Sequence, residues 1–206
     1  MPVRQILSFK IMGQNFSTYT FTNSVKEAQS HYGSRESYQK IENRPDMFEI
    51  TPREKSLIES IDGFYMATVG ENGWPYVQFR GGPKGFLKII DKSTIGYADF
   101  RGNMQYISTG NINSSRKTSL ILMNYRERKR LKIWAEAKII DAHENPELQQ
   151  ILVDPGYKAV VERLVTFNIK AFDWNCPQHI TPRYTVEEIK EDLIPQHPEI
   201  KDEFCR

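Results

Sequence analysis

Apolar and polar positions alternate through the middle of the chain. Phe64–Val69 (FYMATV) and Pro75–Arg80 (PYVQFR) flank the stretch GENGW, in which Asn72-Gly73 is a strong hairpin turn signal. Gly85–Ile90 (GFLKII) and Thr94–Asp99 (TIGYAD) flank Asp91-Lys92-Ser93, which predicts a second hairpin. Lys117–Tyr125 and Arg130–Ile140 enclose the polar run Arg126–Lys129 and predict a third, and Arg163–Trp174 reads as one long strand. Hairpins in series with short turns cannot build a parallel sheet, because parallel strands need long crossovers. Residues 62–174 therefore predict an antiparallel barrel of about six strands.

Helix starts punctuate this β pattern. Thr51-Pro52-Arg53-Glu54 offers an N-cap, a proline at the first helical position and a capping-box glutamate, followed by the apolar face Leu57, Ile58 and Ile61. Ser24–Glu27 opens an earlier helix that Gly33 could end, Asn145-Pro146-Glu147 opens one after the third hairpin, and Thr185–Glu188 opens a short one near the C-terminus. Residues 1–50 are less patterned and read as an extension packed on the barrel or on a partner chain. Residues 51–183 read as the barrel domain, and 184–206 as a helical tail.

Length and composition change this picture little. With 206 residues the chain can bury a core of its own. A net charge of +2 gives no strong basic bias, which argues against a nucleic-acid binder. Its two cysteines, Cys176 and Cys205, form no disulfide framework and favour a reducing, cytoplasmic setting. The sequence has no long apolar run, so no membrane span is expected.

Chemistry concentrates in three places. Tyr97–Asn111 (YADFRGNMQYISTGN) runs from a strand end into a helical segment, where Arg101, Asn103 and Gln105 beside the free N–H groups of a helix start could hold an anion. Its plainer reading is a solvated connection. Arg126, Arg128, Arg130 and Lys132 alternate, as a charged hairpin tip that keeps strand edges soluble would. Cys176 and His179 lie three apart in WNCPQH, but His31, His143 and His197 show no paired spacing with them, so no metal site is expected. Pro177 removes the N–H that could stabilise a Cys176 thiolate, so that loop reads as a rigid cleft wall. Walker, dinucleotide-binding and zinc-protease motifs are absent from the sequence.

Taken together, PYVQFRGG, GYADFRGNMQYISTGN and FDWNCPQHI, in that order across roughly residues 50–182, resemble the pyridoxamine 5'-phosphate oxidase-like flavoproteins, the FMN-binding split barrels. They are most similar to the branch whose last strand enters a DWNCPQH-type loop. The resemblance implies a mainly β fold with peripheral helices, a six-stranded antiparallel split barrel, and a homodimer with FMN at the subunit interface. It places Gln78, Phe79, Arg80 and Gly81 along the ring and ribityl chain. It puts the stretch Asp99, Phe100, Arg101, Asn103, Gln105 and Tyr106 at the ribityl and phosphate. Arg130 or Lys132 would reach in from the other subunit, and Trp174, Asn175, Gln178 and His179 would close over the ring. The resemblance implies an FMN-dependent oxidoreductase acting on an unidentified small molecule. The alternatives are a non-catalytic flavin or haem binder, with His179 as axial ligand, and pyridoxamine 5'-phosphate oxidase proper. The arginine- and histidine-bearing C-terminal signature of the last is missing, with only Arg183 after His179 to stand for it.

Overall fold

The computed structural model describes residues 14–204. Cys205 and the first 13 residues lie outside that range. Three short helices come first: α1 (Phe16–Thr20), α2 (Asn23–His31) and α3 (Arg35–Glu42). Helix α4 (Pro52–Ser60) has Thr51 as N-cap, and the reciprocal capping box with Glu54 forms as its sequence predicts. Helix α2 starts a residue earlier than Ser24, because the Thr22 hydroxyl caps it by accepting from Val25 N.

The strands are β1 (Gly63–Val69), β2 (Pro75–Gly81), β3 (Lys88–Asp91), β4 (Thr94–Phe100), β5 (Lys117–Asn124), β6 (Lys129–Asp141) and β7 (Val161–Trp174). Helix α5 (Ile107–Ser115) links β4 to β5, and α6 (Pro146–Leu152) links β6 to β7. All pair antiparallel in the order β2-β1-β5-β6-β7-β4-β3, giving a split barrel open between β2 and β3. The barrel thus has seven strands rather than six. They are the three predicted hairpins and the long strand β7, and the short β3 is held against β4 by a turn in which Ser93 N donates to Asp91 Oδ1 at 2.8 Å. The first half of GFLKII is not strand: Gly85 takes φ +75° and bonds back to Ile61 O, while Phe86 and Leu87 turn into the core.

Period-two alternation decides what is buried. Leu120 and Leu122 of β5, and Leu131, Ile133, Ala135 and Ala137 of β6, face one core with Phe64, Met66, Tyr97, Phe167 and the inner face of α4. Rings of Phe64, Phe86, Tyr97 and Phe167 pack with centroids 5.5–6.2 Å apart, and each fully buried large side chain contributes roughly 1.5–3 kcal/mol. A smaller cluster around Ala98, Leu152 and Leu164 seats α6 on the outside of β4 and β7.

The leading helices lie on β6 and β7. Phe16 stacks on Trp134 at 5.9 Å, Gln14 N donates to Lys170 O, and Asn15 binds Asp46 and the carbonyls of Ile41 and Arg44. At the other end, a capping box at Thr185 opens α7 (Val186–Glu188). A π-turn (Ile189–Leu193) follows, and Asp192 there binds Arg126 from the β5–β6 turn, at 2.6 Å from Nη2. Arg126 therefore leaves the alternating row and anchors the tail. Among the described residues, no helix is long and apolar enough to cross a membrane.

Candidate functional site

Strand β2 is laid out the opposite way from its neighbours. Its polar residues Tyr76, Gln78 and Arg80 turn inward and are half-buried, while Val77 and Phe79 stand outward, Phe79 with 56% of its surface exposed. The inward row faces the start of α5 across a cleft of about 220 Å³. Gln78, Arg80, Phe100, Asn103, Gln105 and Tyr106 all line this cleft, so residues drawn from two separate sequence stretches converge there.

The turn into α5 has an unusual backbone. Met104 and Tyr106 both adopt left-handed conformations, with φ of 58° and 53°, at a cost that non-glycine residues bear mainly at functional turns. Tyr106 occupies the N-cap position without offering a side-chain cap. The first-turn N–H groups at 107–109 are therefore left for a ligand or solvent. Ser108, whose hydroxyl donates to Gln78 Oε1 at 3.0 Å, ties that helix turn to β2.

Behind the cleft sits an ion network. Asp99 at the end of β4 is 3% exposed and accepts from Arg163 Nη2 at 2.7 Å and from Arg163 Nε at 3.0 Å. Arg80 Nη1 lies 3.2 Å from its other oxygen. The Asp99↔Arg163 register of β4 and β7 makes this pairing. Burial opposes the Arg163 charge more than any other single influence, yet Asp99 and Glu162 together push its pKa above the ordinary guanidinium value. The Arg163 guanidinium also lies 4.9 Å over the Tyr106 ring. One group is left over: Arg80 Nε is buried without a hydrogen-bond partner. A buried donor of that kind costs about 1–3 kcal/mol unless something accepts from it.

Arg163, Ser108 and Tyr76 line the cleft without having been singled out in the sequence. Ser108 sits inside Tyr106–Asn111 (YISTGN), where a hydroxyl at a helix start is the available signal. Arg163 reaches the cleft only through cross-strand register, which no local pattern reveals.

The remaining sequence candidates lie elsewhere in one chain. Phe79 lies outward across Gly63 and Gly81, where an added Cβ would sit 2.3 Å and 2.9 Å from its ring. Arg101 is exposed, its Nε bonded to Glu162 at 2.8 Å. Lys132 pairs with Asp173 at 3.1 Å and, with Asn175, lines a cleft under α1–α3. Trp174 donates from Nε1 to Glu54 Oε1 at 2.6 Å and carries Arg53 over its ring. Arg130 Nε and Asn175 Oδ1 are buried without partners. Gln178, His179 and Cys176 are exposed, His179 at φ 62°. Asp141, His143 and Glu144 bring ligand-type atoms within 4.8 Å of one another in a solvated cluster at the end of β6.

The model of the pyridoxamine 5'-phosphate oxidase family matches residues 50–173, which takes in β1 to β6 and all of β7 but Trp174. The chain belongs to the pyridoxamine 5'-phosphate oxidase family. No curated protein matches it. Among solved structures, it is similar to a candidate pyridoxamine 5'-phosphate oxidase from Lactobacillus delbrueckii, at 18% identity and a TM-score of 0.48, over 62% of this chain and 95% of that one. It is also similar to HupZ of Group A Streptococcus, at 16% identity and 0.47, over 66% and 99%. A third is an FMN-binding protein from Syntrophomonas wolfei, at 15% identity and 0.45, over 71% and 97%. The family match begins at Ile50, after the three leading helices, and ends at Asp173, just before the WNCPQH loop.

Proposed function

We propose that the protein is a homodimeric flavoprotein that holds FMN in the β2–α5 cleft and acts as an oxidoreductase on a small molecule. The observation that carries this reading is the partnerless buried Nε of Arg80, a residue that lines the same cleft as the uncapped start of α5. A phosphate supplies the acceptor that Arg80 lacks and answers the free first-turn N–H groups. Arg80, Arg163, Ser108, Asn103 and Gln105 would hold the phosphate and ribityl chain, with Gln78 and Gly81 beside the ring. Asp99 offsets part of the two guanidinium charges, so the cleft binds an anion without being forced apart when empty.

The outward row of β2 supports the dimer. Val77 and Phe79 stand beside the exposed Tyr65 of β1 and Ile121 of β5 in cross-strand register, an apolar sheet face suited to a second copy. In that dimer the second copy brings Arg130, Lys132, Trp174, Asn175, Gln178 and His179 toward the flavin. Residues 51–183 act as the binding domain in this reading, with 1–50 and 184–206 as its appendages, in a cytoplasmic setting.

When bound, FMN supplies the two-electron chemistry. The chain's own residues position it, hold positive charge near it and exclude water. The test is a fluorescence titration with FMN. Arg80→Ala is expected to weaken binding by at least tenfold, the scale of a lost charge-assisted bond of about 1.5–3 kcal/mol. Arg101→Ala, whose guanidinium is committed to Glu162, is expected to change it less. Equal affinity for Arg80→Ala and the wild type would reject the placement.

A further inference from the structure

The β2–α5 cleft does not end at the proposed phosphate position. Tyr76 and Ile107 also line a second, wider cleft of about 590 Å³, beside β2 and the β1–β2 turn. Its walls are Trp74, Tyr76 and Ile107 on the apolar side, and Asn72 and Asn111 on the polar side. Trp74 is 72% exposed beside it, a large flat ring left in solvent. Gly110 leaves the facing side open, with nothing within 4 Å of where a Cβ would stand.

We infer that this second cleft holds a purine nucleoside, stacked on Trp74, which continues from the phosphate in the first cleft. The inference rests on the flavin reading of that first cleft. Three features select this chemistry. An exposed indole facing open space is a stacking platform for a base. Asn111 donates through Nδ2 to Thr68 Oγ1 at 3.0 Å, which leaves Oδ1, beside Gly70, to accept from a base amine. Charge also changes sign along the groove: Arg80 and Arg163 line the first cleft, while Glu71 is the one charged residue lining the second. An anionic extension would be repelled there, whereas the hydroxyls of a ribose can donate to Glu71.

Two sources offer such a nucleoside: the adenosine half of FAD, or that of a nicotinamide dinucleotide acting as redox partner. Titrations of the full-length protein separate them. FMN and FAD are followed by flavin fluorescence. ADP-ribose is added calorimetrically to FMN-loaded protein. Trp74→Ala and Trp74→Phe are carried alongside, with sedimentation of each variant. FAD binding at least tenfold tighter than FMN, with the advantage lost in Trp74→Ala and kept in Trp74→Phe, supports the cofactor as source. FMN and FAD binding equally, with ADP-ribose bound by the FMN-loaded wild type and weakened at least tenfold in Trp74→Ala, supports the redox partner. FMN binding with neither adenosine effect overturns this inference and leaves the flavin reading standing. A Trp74→Ala variant that falls from dimer to monomer overturns it too, since the indole then belongs to the subunit contact. Failure of the wild type to bind FMN overturns both.

Discussion

Replacing Asp99 by asparagine separates the charge of the cleft from its shape. The carboxylate is 3% exposed and meets Arg80 at 3.2 Å and Arg163 at 2.7 Å. With charge centres about 4 Å apart and an effective dielectric of about 20, each pair attracts by ~4 kcal/mol. Much of that is offset by the several kcal/mol needed to take a carboxylate out of water. Asp99→Asn keeps the volume but leaves two guanidiniums facing each other with only Glu162, 2.9 Å from Arg163, as a counter-charge. Breaking a buried pair costs about 3–5 kcal/mol, and the lower figure applies because the Arg80 side chain keeps 20% of its exposure. For a chain of this length, ~3 kcal/mol corresponds to a fall in Tm of roughly 6–12 °C. Millimolar inorganic phosphate supplies the missing negative charge, so it should restore more stability to the variant than to the wild type. Urea denaturation with and without phosphate reads both effects. A loss below about 0.5 kcal/mol, the size of an ordinary surface change, or an equal phosphate effect on both proteins, would refute the electrostatic reasoning.

Three further outcomes follow from the packing and charges. Tyr97 is buried with its hydroxyl unpartnered, and burial lifts its pKa well above the ordinary 10; Tyr97→Phe should be neutral or stabilising by up to about 1 kcal/mol in thermal denaturation. An added methyl at Gly96 would lie 2.9 Å from Val165 O and 3.1 Å from Ile90 Cδ1, so Gly96→Ala should cost roughly 1–3 kcal/mol by the same assay. Hydrogen bonding to Arg101, with help from Arg163, holds the Glu162 pKa below its ordinary 4.5. That folded-state lowering gives stability present above the unfolded value and lost as pH falls through the folded one, so Glu162→Gln should flatten the acid limb of a stability–pH curve.

Hairpin signals made most of the barrel legible, because each turn residue acts within a few positions of its strands. Asn72-Gly73 and Asp91–Ser93 sit at observed turns, and the Thr51 capping box and the Thr185 helix start form as read. The start of β3 was harder to place, since Phe86 and Leu87 are apolar for core packing rather than for pairing. The cleft was legible in halves. PYVQFR and DFRGNMQY each showed polar residues at a strand end, but their convergence depends on sheet order, which brings β2 and the start of α5 together. Arg163 stayed hidden because its partner Asp99 lies 64 positions away. Arg101 stood out for the opposite reason: its motif position is conspicuous, while Glu162 draws its guanidinium aside.

FMN binding by the dimer is read by incubating the purified protein with FMN, passing it through gel filtration, and recording the visible spectrum and mass of the eluted species. A dimer carrying flavin bands at one FMN per chain is expected, with the flavin content of Arg80→Ala lower by at least tenfold. A wild-type protein that emerges colourless at every FMN concentration would contradict it.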